Sequence, residues 1–199
     1  MATSFDSTLD IILENDRIIL RPLIEDDYHN LLPIALSNHK LLQYSPQQVN
    51  SEVKLKAYIN KALRQQLEGT RYPFISFDKK VQEYSGSTSY LQISNENKRL
   101  EIGATWLGKK FQGTGLNKEQ KRLMIGHAFE KIGMQRVELK TDGRNLQSQK
   151  AMLKIGAKRE GALRSHTVME DGFRRDTVYF SILADEWPEI KQDIFEGIC

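Results

Sequence analysis

Gly113 and Gly115, on either side of Thr114, end an alternating run over residues 100–107 and precede a helix-forming stretch that reaches about Lys131. A glycine turn between strand and helix leaves successive backbone N–H groups unpaired and aimed one way, on the positive end of the helix dipole. That chemistry suits an anion, phosphate or pyrophosphate, and it needs glycine because a Cβ blocks positive φ angles and close approach. Short glycine turns also serve structure alone. Here the helix opens with Asn117, Lys118 and Glu119 and continues with Lys121 and Arg122. That is more basic than the positive end of a dipole favours, and a bound anion would reconcile the two. The loop is no nucleotide P-loop, because Gly-Lys-Ser/Thr does not follow. Nor is it a Rossmann fingerprint, which needs a third glycine and an acidic residue about 20 positions on.

Asn145 can cap a short helix, with Ser148 as a polar residue of its first turn. His29, His39 and His127 have no spaced partners, so no metal site is expected. The single cysteine, Cys199, reads as an exposed thiol, with neither a disulfide framework nor a cysteine metal site.

The elements that must position these groups follow from periodicity and punctuation. At 199 residues the chain is read as one domain, with its core at about 17–188, large enough to bury a core without staples. Residues 16–23 form a strand that Pro22 confines to an end or edge. Helices follow over 28–36 and 52–67, the second capped by Asn50 or Ser51 and stopped by Gly69. Strands cover 72–77, 82–93 and 99–107, with a turn at Asn95-Glu96-Asn97 between the last two. Beyond the glycine loop, Leu123, Met124, Ile125, Ala128, Phe129 and Ile132 make a largely buried helix. A strand over 135–141 and a helix from Asn145 to Gly156 precede a hairpin, 157–168 and 173–183, joined at Asp171-Gly172. This order gives an α/β fold with a mainly antiparallel sheet and one parallel β-α-β crossover. A net charge of +3 without a basic run argues against a nucleic-acid partner, and no apolar stretch is long enough for a bilayer. The acidic N-terminal residues are unlike a secretion signal, so a cytoplasmic location is expected.

The element order, the Gln112-Gly113-Thr114-Gly115 loop, Asn145-x-x-Ser148 and Gly156 together resemble the GNAT superfamily of acyl-CoA-dependent N-acetyltransferases. The tail Asp171-Gly172-Phe173-Arg174-Arg175-Asp176, with Tyr179 and Glu186-Trp187, is similar to the ribosomal-protein N-terminal acetyltransferase branch. The resemblance covers about residues 17–188. It implies a twisted sheet flanked by helices, with splayed central strands, acetyl-CoA as co-substrate and a primary amine as acceptor. A protein N-terminus, an amino acid and a small amine are all open as acceptors, and a homodimer is open too. A non-catalytic acyl-CoA sensor is the alternative.

On this resemblance the backbone near Thr105, Trp106 and Leu107 would hold the pantetheine and polarise the acetyl carbonyl. The amides of Gln112, Gly113, Thr114 and Gly115, with Asn117 at the helix start, would hold the pyrophosphate, and Asn145 would stand beside the cofactor. Lys110 occupies the first position of the family's loop pattern, where glutamine or arginine is usual. Met152 stands where many members carry a tyrosine that protonates the CoA thiolate. In the ribosomal-protein branch a serine takes that role, and Ser148 matches it. Attack on a thioester needs a neutral amine, so a base is required. Glu101 is the first choice, with a surface ion pair as its plain alternative, and His166 is the rival. Trp106 and Trp187 read as core, Trp106 with an option on the substrate pocket.

Overall fold

The computed structural model describes residues 4–196, so Cys199 lies outside the described residues. A short β1 (Leu13–Glu14) pairs with β2 (Ile18–Pro22), and α1 (Asp27–Leu36) and α2 (Glu52–Leu67) follow. Then come β3 (Arg71–Asp78), β4 (Glu83–Ser94), β5 (Arg99–Leu107), α3 (Leu116–Gly126), β6 (Arg136–Asp142) and α4 (Leu146–Lys154). The chain closes with β7 (Lys158–Val168), β8 (Arg174–Leu183) and α5 (Trp187–Ile190). The strands form one sheet in the order β1-β2-β3-β4-β5-β6-β8-β7. Every pairing is antiparallel except β5 with β6, which the α3 crossover joins in parallel, as expected. Ser51 caps α2 by accepting the Lys54 amide at 3.2 Å.

Period-two alternation divides the sheet into two faces. Tyr72, Phe74, Tyr90, Leu100, Ile102, Val137, Leu139, Val178, Phe180 and Ile182 pack with Leu116, Met124, Ile125 and Ala128 of the α3 segment. Edge-to-face rings tighten this core: the Phe74 and Tyr90 centroids are 5.5 Å apart, and the Tyr90 hydroxyl donates to the Met124 carbonyl at 2.7 Å. On the other face Leu31, Ala35, Leu55, Tyr58, Ile59 and Ala62 of α1 and α2 cover Ile75 and Trp106. Among the described residues, that second cluster contains nothing from β6 to β8. There the same face carries Glu138, Lys140, Thr177, Tyr179 and Ser181. One half of the sheet is sealed by helices, and the other half presents polar chemistry.

Three features depart from the sequence expectations. The helix expected to run to Lys131 is α-helical only to Gly126; residues 127–131 widen into π-turns, with the Ile132 amide bonding the His127 carbonyl. Residues 187–195, to which the sequence assigns no element, are helical and bury Trp187 and Phe195 against the α3 segment. The Trp187 indole donates to Glu130 at 2.7 Å, so this tail closes one end of the core. The large tail residues recur at 187, 190, 194 and 195, the helical spacing that could have revealed it. Finally, β1 adds a strand ahead of the one read at 16–23.

Candidate active site

Beyond Glu101, β5 and β6 separate. They pair at Arg99–Arg136, Leu100–Val137 and Glu101–Glu138, yet β5 runs on to Leu107 and β6 to Asp142. Each strand stays with its other neighbour: β5 tracks β4 to Leu107, and β6 tracks β8 to Asp142. Two half-sheets with separate partners twist apart, and the gap opens between them. A bulge lies on the β5 wall, where Ser87 faces Trp106 and Ser89 faces Gly103, leaving Ala104 and Thr105 opposite Thr88. Ala104 takes a positive φ of 47°, and its carbonyl accepts the Tyr58 hydroxyl at 3.4 Å, itself bonded by buried Arg71 at 2.7 Å. A bulge leaves backbone groups out of the ladder, available to a ligand. Gly86 permits this packing, since a Cβ there would lie 2.0 Å from the Trp106 carbonyl oxygen.

At the top of β5 the chain makes a single 3₁₀ turn, Lys109–Phe111, and enters the exposed glycine loop. Gly113 and Gly115 adopt φ of 77° and 87° with open space where a Cβ would stand. The Gln112 side chain donates to the Leu107 carbonyl at 3.0 Å and the Thr114 hydroxyl to the Phe111 carbonyl at 2.7 Å. Those side chains brace the loop. The amides of Gly113, Thr114 and Gly115 make no hydrogen bond among the described residues. In the helix that follows, Asn117 Oδ1 and both amide atoms of the fully buried Gln120 are also without partners among the described residues.

The cations of the helix start lie against protein groups. Lys118 lies 5.7 Å from the Phe195 ring centroid, Arg122 is 3.7 Å from Glu119, and Lys121 turns inward to the Thr105 hydroxyl at 2.9 Å. These cations already have protein partners, so it is the loop amides that point to an anion. A recess of about 410 Å³ beside the loop, lined by Arg17, Asp78, Lys110 and Phe111 among others, contains charges already paired as Arg17–Asp78 and Lys110–Glu83.

Glu101 sits where the strands part. Its plain alternative, a surface ion pair, is corrected: the side chain is 3% exposed and its carboxylate is 2.7 Å from the Lys140 ammonium. Burial raises its pKa, and Lys140 opposes the rise. Asp142 and Arg175, both buried, lie on the same polar half, with Asp142 held by Arg144 at 2.6 Å and Arg175 donating to the Tyr44 carbonyl at 2.7 Å. Ser148 lies in the first turn of α4, which follows β6. Its amide donates to Asn145 Oδ1 at 3.1 Å, so Asn145 is the cap, while the half-buried Ser148 hydroxyl makes no hydrogen bond among the described residues. His166 is exposed on the outer strand β7, hydrogen-bonded to Thr177 at 3.1 Å. Trp106 is core against Tyr58, but its buried indole Nε1 has no partner among the described residues. Sequence reasoning missed Lys121, Lys140 and Arg175. Lys121 had a signal, because it interrupts the apolar stripe formed by Met124, Ile125 and Ala128.

The splayed strands, bulge and open glycine loop can be compared with known proteins. The family model described as acetyltransferase (GNAT) domain matches residues 17–158. YdaF of Bacillus subtilis, whose name proposes a ribosomal N-acetyltransferase, is 32% identical over 102 residues, 51% of this chain and about half, 55%, of its own length. A crystal structure of a candidate acetyltransferase from T. thermophilus superposes with a TM-score of 0.86 at 31% identity, covering 96% of this chain and 98% of that one. The ribosomal α-N-protein acetyltransferase RimL, solved in complex with coenzyme A, shares the fold at a TM-score of 0.75 and 22% identity, over 88% of this chain and 99% of its own. By its sequence and by the parted strands that the sequence builds, this chain belongs to the GNAT acetyltransferase family.

Proposed function

We propose that this chain transfers the acetyl group of acetyl-CoA to a primary amine by direct attack within a ternary complex, and that the leading acceptor is a protein or peptide N-terminus. The observation that carries this reading is the gap above Glu101 and Glu138, with the bulge at Ala104 and Thr105 and the unpartnered amides of 113–115 along one wall. Those amides, with Gln112 and the helix start at Asn117, hold the pyrophosphate through hydrogen bonds and the helix dipole. Backbone groups of Thr105, Trp106 and Leu107 hold the pantetheine and polarise the acetyl carbonyl, with Asn145 and Ser148 on the opposite wall. Ser148 hands a proton to the departing thiolate. Glu101 accepts the proton of the acceptor ammonium, aided by the burial that raises the pKa of its carboxyl. The family match supports the transfer, and the names of YdaF and RimL support the acceptor class.

The experiment is release of free CoA from acetyl-CoA across a panel of N-terminal peptides, amino acids and small amines. Turnover with peptides above all other acceptors is expected. Turnover with small amines alone would overturn the acceptor class. Tight acetyl-CoA binding with no CoA release on any amine would instead establish a sensor.

A further inference from the structure

Lys121 projects from α3 into the sheet and is 6% exposed. Its ammonium has one hydrogen-bond partner, the Thr105 hydroxyl at 2.9 Å, and that hydroxyl is 2.7 Å from Thr88 Oγ1. No carboxylate stands within ion-pair distance of it among the described residues. An ammonium has three protons to place, and burying one against a single neutral hydroxyl is costly. The neutral amine is the form this environment favours: burial lowers the Lys121 pKa to about 7, with only the charge of Glu101 acting in the other direction.

Position gives this amine its meaning. Thr105 belongs to the bulge and lies beyond the last β5–β6 pair, on the wall of the gap. Glu101, whose charge Lys121 senses, stands at the point where the gap begins. We infer that Lys121 is a site of self-acetylation, taking an acetyl group from acetyl-CoA bound along β5; this rests on the acetyl-CoA reading above. The Nζ lone pair attacks the thioester carbonyl carbon, the N–C bond forms, the C–S bond breaks and CoA departs as the thiolate. The surplus proton on nitrogen passes to the thiolate, directly or through the Thr105 hydroxyl. The products are an N-acetyl-lysine and free CoA, with no change of oxidation state and no further reactant. Acetylation removes the charge that a buried ammonium would carry at this position.

Incubation of the full chain with acetyl-CoA and no acceptor, followed by tandem mass spectrometry, tests this. One acetyl group on Lys121 is expected, formed at a first-order rate independent of protein concentration and suppressed by excess CoA. Acetyl marks on exposed lysines should depend on reagent concentration and ignore CoA. Lys121→Arg should abolish the mark while calorimetry still detects acetyl-CoA binding. An unmodified Lys121 in wild-type protein that binds acetyl-CoA overturns the inference, as does a mark that forms equally in the presence of excess CoA. Failure of the wild type to bind acetyl-CoA would overturn the reading beneath it instead.

Discussion

Two side chains define the chemistry to test at the residue scale. Glu101 is buried against Lys140 at 2.7 Å, so Glu101→Gln removes the charge but keeps the shape, and Lys140, being 27% exposed, can turn to solvent. As the base, Glu101 must be ionised to act, so kcat/KM should rise with pH until the carboxyl and the acceptor amine are both unprotonated. The Gln variant should lose about 10²-fold in kcat/KM near neutrality and recover in part at high pH, where the amine sheds its proton unaided. His166→Ala, out on β7, should leave the rate alone; a profile that follows His166 and ignores Glu101 would reverse the assignment. Ser148→Ala should reduce kcat about 10²-fold with little change in acetyl-CoA affinity. A near wild-type kcat would confine Ser148 to the turn that Asn145 caps.

At the scale of elements, the loop and the two helix starts can be separated. Gly113 has open space beside it but a φ of 77°, so Gly113→Val brings local strain without a clash. Its added methyls would stand among the free amides, and acetyl-CoA affinity should fall at least about tenfold, near 1.4 kcal/mol, while the melting temperature moves only a few degrees. Calorimetry and a thermal scan on one preparation decide it, and unchanged affinity in the folded variant would remove the pyrophosphate from this loop. Asn145→Ala deletes the cap of α4 and should cost about 1 kcal/mol of stability, seen as a lower denaturant midpoint. Because α4 has no fully buried residue, it depends on that cap more than a core helix would.

At the scale of the whole molecule, buried Lys121 and half-buried His127 each contribute a pH dependence to stability. Lys121 has a folded-state pKa of about 7 against 10.5 for an unburied lysine. Between these values the unfolded chain binds more protons than the folded one, so stability rises with pH across that window, and the full penalty applies below it. Lys121→Met should therefore raise the melting temperature at pH 7 and flatten its rise toward pH 10, and the acetylated wild type should behave likewise. Burial, with Lys131 nearby, lowers the His127 pKa to about 4. The same sign holds: stability should fall as pH drops from 6.5 through 4, and His127→Gln should lessen that fall. A wild-type melting temperature that is flat from pH 7 to 10 would mean that burial does not lower the Lys121 pKa.

Local signals along the chain determined which segments form elements and in what order. Alternation over 99–107, the glycines at 113 and 115 and the Asp171-Gly172 turn each impose their geometry on their own few residues, and they read out correctly. The crossover from β5 to β6 was legible for the same reason, since a strand, helix and strand in that order join in parallel. The depth of side chains was not legible. Sequence reads Glu101 as a candidate base or a surface ion pair and Lys121 as a cation of the helix start, but their burial is set by contacts between elements far apart in sequence, Glu101 with Lys140 of β6 and Lys121 with Thr105 of β5. The unequal partnering that pulls β5 toward β4 and β6 toward β8 is likewise a property of the assembled sheet. Sequence could name a loop able to hold an anion. The twist of two half-sheets decided that a gap runs beneath it, and tertiary packing decided that the buried Lys121 bonds Thr105 on its wall.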